Sequence, residues 1–310
     1  MNKKIIFLGG VYGKNKDSMW GGTIATSEYF KLSFINDKYI TFVDRSEIKT
    51  GKNYDILKIK NKIKGYDIVH IDDSTLAQIF FLNNIKVDVI GPITRSPDSV
   101  KQYKNKDGTI WKSIYTSDWF YSKKILRLNA NEEKIQDFLN KVKYIDHAVP
   151  TNILLPDYKK QKKYILWAAD DKRYAKNIEL GEEIKNITKL PSGYEWKFLK
   201  RYNLNDYLNI LDETAILINT SRYESFCSAL FEAKSKGVPT IYKKQLHNNR
   251  FLDGRIQVSY EAESYKDKIL ELLSDKNLLE NERILSRKYA EDNASLEKMK
   301  ESILKVYMEI

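Results

Sequence analysis

Glu224 and Glu232 stand eight residues apart, around a segment that reads as the start of a helix. A polar loop carries Glu224. The apolar spacing of Phe226, Ala229, Leu230 and Ala233 predicts a helix from about Ser225. Gly237 is placed to end it, and Pro239 cannot continue it. A helix N-terminus offers unbonded backbone N–H groups and the positive end of the peptide dipoles, so it can hold a phosphate. Arg173 and Lys176 lie in an earlier loop and read either as phosphate-neutralising cations or as a solvated charged turn. His70 ends an apolar strand, where ligand crevices of α/β sheets open; it also suits a hydrogen-bonded core position. Asp72 and Asp73 read as caps of the helix that follows. Cys227 reads as a small helix residue, because no histidine is positioned to activate it. Between Arg95 and Lys124, basic residues alternate with Tyr103, Trp111, Tyr115, Trp119, Phe120 and Tyr121. That mixture suits unstacked bases, and it equally suits core aromatics among solvated lysines.

Positioning these groups requires a regular scaffold, and the chain predicts one. In the first half, strands are expected at Lys4–Leu8, Tyr39–Val43, Asp67–Ile71, Val87–Gly91, Ser113–Thr116 and Val142–Ile145, with helices near Thr23–Phe34, Thr75–Asn83, Trp119–Leu126 and Glu132–Lys141. Ala148–Asp157, with Pro150 and Pro156, reads as an interdomain linker. The alternation then restarts, with strands at Lys163–Ala168, Tyr194–Leu199, Thr214–Asn219 and Val238–Tyr242. Helices are expected at Ala175–Thr188, Leu204–Asp212 and Phe226–Lys236, and a helical tail from about Glu261. Continuous apolar strands separated by helices indicate parallel sheets covered on both faces. The expected architecture is two Rossmann-like α/β domains with an interdomain cleft: residues 1–150, residues 151–290, and a C-terminal helix over 291–310 that packs back on the N-terminal domain.

The chain has 310 residues, 42% hydrophobic and 12% aromatic, which excludes a disordered or low-complexity protein. One cysteine excludes an internal disulfide and a cysteine-cluster metal site, and the three histidines are far apart in sequence. The apolar runs fall short of the roughly 20 residues that cross a bilayer, so a soluble protein of a reducing compartment is expected. The net charge is +11. Residues 1–152 hold 25 basic and 17 acidic side chains, and the rest hold 28 and 25. A basic first half suggests an anionic partner: phosphate, nucleic acid or an acidic membrane surface.

The Glu224–Glu232 block, closed by Gly237-Val238-Pro239, resembles the signature of retaining glycosyltransferases of the GT-B fold, notably family 4. Four further segments are similar in order: Gly21-Gly22-Thr23, Asp67–Asp72, His147–Thr151, and Ile165–Ala169 with Lys176. The resemblance implies a glycosyltransferase that uses a nucleotide-diphosphate sugar, UDP-sugar by default, with retention and without a metal or other cofactor. It implies that Glu232 binds the ribose hydroxyls and that Glu224 contacts the donor sugar near the reacting centre. The backbone of Ser225, Phe226 and Cys227 would hold the diphosphate or sugar, and Lys176 with Arg173 would neutralise the diphosphate. Arg201 and Tyr202 fall where the base is held, and Gly21 and Gly22 would let backbone approach the donor. Glu224 and His70, the latter on the acceptor side, are the expected catalytic residues, and Arg95 and Trp111 are expected to bind the acceptor. The chain departs from the pattern at Ser225 and Cys227, where glycines are usual, and at Ala169-Asp170, where a Gly-Arg pair is usual.

The expected acceptor is a surface glycan or glycolipid, with the protein cytoplasmic or peripheral at the inner membrane surface. The rival acceptor is a hydroxymethylated base in DNA, as in phage-type DNA glycosyltransferases. A non-catalytic nucleotide-sugar-binding module on the same scaffold, and a nucleotide-sugar epimerase, are the other classes.

Overall fold

The computed structural model describes residues 3–9, 22–51, 53–71, 76, 79–80, 82–93, 112–115, 142–144, 148–169, 172, 174–200, 202–222, 227–244 and 255–310. The chain divides into two compact units. The described residues up to 144, together with Leu296–Ile310, form the first, and residues 148–295 belong to the second.

The first unit begins with β1 (Ile5–Leu8), α1 (Gly22–Ser33) and β2 (Ile40–Val43). A short hairpin, β3 (Lys49–Thr50) and β4 (Asn53–Tyr54), leads into α2 (Ile56–Ile63). Then come β5 (Ile68–Ile71), β6 (Val89–Ile93), β7 (Lys112–Tyr115) and β8 (Val142–Tyr144). Six strands form one parallel sheet in the order β2-β1-β5-β6-β7-β8. All four residues of β1 and of β5 are buried, as strands covered on both faces must be. The helix α2 was not among the expected elements, although Ile56, Ile59 and Ile63 recur at helical spacing. Asp55 decides the outcome by accepting from the backbone N–H of Lys58 as N-cap, and Ile59 carries the buried face.

His70 faces the core of this unit. It has no exposed surface, stands edge-on to Phe7 and Phe30, and its Nδ1 lies 2.6 Å from the Tyr307 hydroxyl. The acceptor-side expectation for His70 is therefore corrected: a ring closed off by Phe7, Phe30 and Tyr307 is the hydrogen-bonded core histidine of the alternative reading.

The second unit contains β9 (Tyr164–Ala169), a 3-10 turn at Tyr174–Lys176, α3 (Ile178–Ile187), β10 (Glu195–Lys200) and α4 (Leu204–Leu211). It continues with β11 (Thr214–Asn219), α5 (Ser228–Ser235), β12 (Thr240–Lys243), β13 (Gln257–Val258), α6 (Ala262–Ser274) and α7 (Lys276–Asn293). Its parallel sheet has the order β10-β9-β11-β12-β13. Trp167 on β9 is buried and stacks on Phe198 of β10. Gly181 lets α3 lie against this indole, since a Cβ there would stand 3.1 Å from Trp167 Cδ1. The segment expected as a linker is packed: Val149 N–H donates to Ala294 O, and Arg287 donates to the carbonyls of Thr151 and Leu154. The last helix, α8 (Leu296–Met308), belongs to the first unit, where Tyr307 meets His70 and Phe34.

Among the described residues, no helix is long and apolar enough to cross a membrane.

Candidate active site

In the second sheet, strand order reverses at β9, which lies between β10 and β11. Ligands of open α/β sheets bind outside the carboxyl ends of the strands at such a reversal. The loops that leave β9 and β11 meet there. Thr220 Oγ1 donates to the carbonyls of Lys176 or Asn177, both 2.9 Å away, and accepts the Trp167 indole N–H at 2.8 Å. Arg222 N–H donates to Ala175 O at 2.8 Å. Asn177 takes a left-handed backbone, φ 47° and ψ 63°, which turns the chain from the 3-10 turn into α3.

Tyr260 braces the same corner. Its hydroxyl donates to Thr220 O at 2.8 Å and accepts from Asn177 Nδ2 at 2.6 Å. Burial raises its pKa, so it remains a neutral hydroxyl that can both donate and accept. Tyr265, buried below it, donates to Asn219 O at 2.8 Å. Asn219 in turn accepts from Ser221 N–H and donates to Cys227 Sγ at 3.3 Å. The end of β11 and the start of α5 are thus tied across residues 220–227.

Cys227 is the N-cap residue of α5, which starts at Ser228, two to three residues later than expected. With Cys227 outside the helix (φ −97°, ψ 86°), the first-turn N–H groups belong to Ser228, Ala229 and Leu230, and Leu230 N–H turns back to Cys227 O. The other end is as expected. Gly237 has φ +68°, its N–H bonds Lys234 O, and Val238 N–H bonds Ala233 O, the paired bonds of a glycine-terminated helix.

Glu232 lies on α5 with no exposed surface. Lys176 ends the 3-10 turn, half-buried. Tyr202, after β10, stacks on Tyr207 with ring centroids 4.8 Å apart, and Tyr207 donates to Ala229 O in the first turn of α5. Cys227, Glu232, Lys176 and Tyr202 thus belong to elements gathered around the same end of the second sheet. Gly22 opens α1 in the first unit. Gly21, Arg95, Trp111, Arg173, Arg201, Glu224, Ser225 and Phe226 lie outside the described residues.

Two cations at this edge were missed by the sequence reading. The Arg222 guanidinium lies 4.2 Å over the Tyr174 ring and donates to Asn177 Oδ1 at 2.8 Å. Lys243, at the end of β12, donates to Arg222 O and lies 4.4 Å from the Tyr260 ring centroid. Neither belongs to a spacing motif. The only signal was position, since each stands at or just past the carboxyl end of an apolar strand.

No family model and no curated protein matches the sequence. Solved structures do match along the whole chain. An α-glucosyltransferase bound to UDP and a 13-mer DNA containing an HMU base is 11% identical, with 99% of this chain and 100% of that chain covered and a TM-score of 0.65. Anabaena HepE, in complex with UDP and glucose, is 10% identical over the full length of both chains at a TM-score of 0.68. A glycosyltransferase from Rickettsia africae is 18% identical, with 100% and 99% covered and a TM-score of 0.62. The two parallel α/β units and this likeness over the whole length establish that the chain has the GT-B fold.

Proposed function

We propose that the protein is a glycosyltransferase that moves a sugar from UDP-sugar to a hydroxyl acceptor with retention. The observation that carries this reading is the junction of the loops after β9 and β11, bonded through Thr220 at the strand reversal beside the N-terminus of α5. The solved glycosyltransferases that resemble the chain from end to end support it.

In this reading the uracil lies against the loop of Arg201 and Tyr202, and Glu232 accepts from the ribose hydroxyls. Lys176 and Arg173, with the N–H groups at Ser225, Phe226 and Cys227, hold the diphosphate. Gly21 and Gly22 approach the donor, and Glu224 contacts the sugar. As the bond from the anomeric carbon to the phosphate oxygen breaks, negative charge grows on the leaving UDP. Fixed cations and N–H dipoles stabilise that charge in place. The acceptor oxygen bonds to the anomeric carbon on the same face, and its proton passes to the leaving phosphate oxygen. This chemistry needs neither an enzyme nucleophile nor a metal ion.

The acceptor proposed first is the hydroxyl of a surface glycan or glycolipid, approached from the cytoplasmic side. Arg95 and Trp111 are its proposed contacts. A second reading, a hydroxymethylated base in DNA, is favoured by one observation: the glucosyltransferase solved with HMU-containing DNA matches both chains over essentially their whole length.

The test is release of UDP from a panel of UDP-sugars incubated with the full chain and no acceptor. Slow hydrolysis of one donor, abolished by Glu224→Gln, is expected. Binding of the donor without hydrolysis or transfer would instead point to a non-catalytic module.

A further inference from the structure

Arg222 and Lys243 are neighbouring cations, linked through the Arg222 carbonyl, with no counter-ion among the described residues. The Lys243 ammonium donates to the Arg222 carbonyl and faces the Tyr260 ring. The Arg222 guanidinium faces the Tyr174 ring and donates once, to Asn177. Its Nε is buried and has no hydrogen-bond acceptor among the described residues. No carboxylate among the described residues lies within ion-pair distance of either group. Elsewhere in the unit, three buried or half-buried cations meet carboxylates, Lys236 with Asp212, Arg283 with Glu280 and Arg287 with Glu291, whereas Lys162 donates to the carbonyls of Asp157 and Asp212.

The juxtaposition is unfavourable as it stands. Burial first, and then the neighbouring Arg222 charge, hold the Lys243 ammonium below the ordinary lysine range. A pair of like charges withdrawn from water is relieved when an anion enters between them. The pair stands where β11 and β12 end together, Asn219 pairing with Tyr242, next to the loop of Tyr174, Lys176 and Asn177. A multiply charged group suits two cations better than a single carboxylate does.

We infer that Arg222 and Lys243 together form a binding site for the diphosphate of the nucleotide-sugar donor. The inference rests on the proposed function for the identity of the ligand, while the need for an anion rests on the two cations alone. The pair would also place positive charge beside the loop after β9, where Ala169-Asp170 offers none.

The experiment is a calorimetric titration of UDP, uridine and inorganic pyrophosphate into the full chain, for wild type, Arg222→Gln and Lys243→Met. Arg222→Lys and Lys243→Arg serve as charge-conserving controls, and melting curves verify folding. Each charge removal should weaken UDP roughly tenfold or more, the scale of a charge-assisted hydrogen bond. It should leave uridine unchanged and flatten the salt dependence of UDP binding, and the charge-conserving variants should keep most of the affinity. Wild-type UDP affinity in both neutral variants would overturn the inference while leaving the proposed function standing. An equal loss for uridine and UDP would also overturn it, because the residues would then only brace the loops. If wild type binds neither UDP nor uridine, the proposed function fails. Pyrophosphate then decides the inference: binding that both neutral variants lose sustains the anion site, and absence of binding ends it.

Discussion

At the scale of single residues, buried hydroxyls hold the structure in place. Tyr307 places its oxygen 2.6 Å from His70 Nδ1, far from water. Tyr307→Phe removes this bond, and a lost buried hydrogen bond costs about 1–3 kcal/mol. Urea unfolding of this variant should show that loss. Alkaline pH should act through the same groups. Burial raises the pKa of Tyr260, Tyr265 and Tyr307 above the ordinary tyrosine range. The unfolded chain releases these protons near pH ~10, whereas the folded chain keeps them. Their contribution is complete below about pH 10 and is lost as pH rises further. Lys162 and Lys243, whose proton affinity is lowered mainly by burial, act in the opposite direction as pH approaches the lysine range. Lys163, Lys266 and Lys288, whose hydrogen-bond partners raise their pKa, act with the tyrosines, and the expected net is a fall. Denaturant midpoints measured from neutral pH to about pH 11 should decline at the alkaline end, and less steeply in Tyr307→Phe.

The site was only partly legible at this scale. Glu232, Lys176, Cys227 and Tyr202 were singled out through the resemblance to retaining glycosyltransferases, and all four lie on elements around the same end of the second sheet. Arg222, Lys243, Asn177 and Tyr260 could not be singled out, because the sheet order alone brings their loops together. His70 shows the converse. Its place at the end of a strand suggested an exposed ligand group, and the residue that closes over it, Tyr307, is 237 positions further on.

At the scale of elements, apolar strands were the clearest signal. Ile5–Leu8, Ile68–Ile71 and Thr214–Asn219 are short runs with few polar residues, bounded by polar or glycine residues, and each forms a strand at or within one residue of the expected ends. Helix ends were read less well. α5 begins at Ser228 because Cys227 and Asn219 fix a non-helical residue there, a contact that periodicity does not contain. α8 provides the sharpest test. Leu296, Met299, Ile303, Val306 and Tyr307 are all buried in it. At about 1.5–3 kcal/mol for each large apolar side chain, their loss rivals the whole stability of a typical domain, about 5–15 kcal/mol. Deletion of residues 296–310 should therefore abolish slow amide exchange in β1 and β5 while β9 and β11 keep theirs.

For the whole molecule, the distribution of charge governs partners. With 53 basic and 42 acidic side chains, and most of the excess in the first 152 residues, binding to an anionic acceptor should weaken steeply with salt. Sedimentation with anionic vesicles and binding to duplex DNA, each followed over a salt series, separate the glycolipid reading from the DNA one. Transfer should also persist in excess EDTA, as expected where fixed cations stabilise the leaving UDP.

The central claim is that the carboxyl edge of the second sheet grips a UDP-sugar. Hydrogen–deuterium exchange with and without saturating UDP tests it most directly. New protection is predicted at residues 174–177, 220–227 and the first turn of α5, with β1 and β5 unchanged. Protection confined to other segments, or none with any sugar nucleotide, would contradict it.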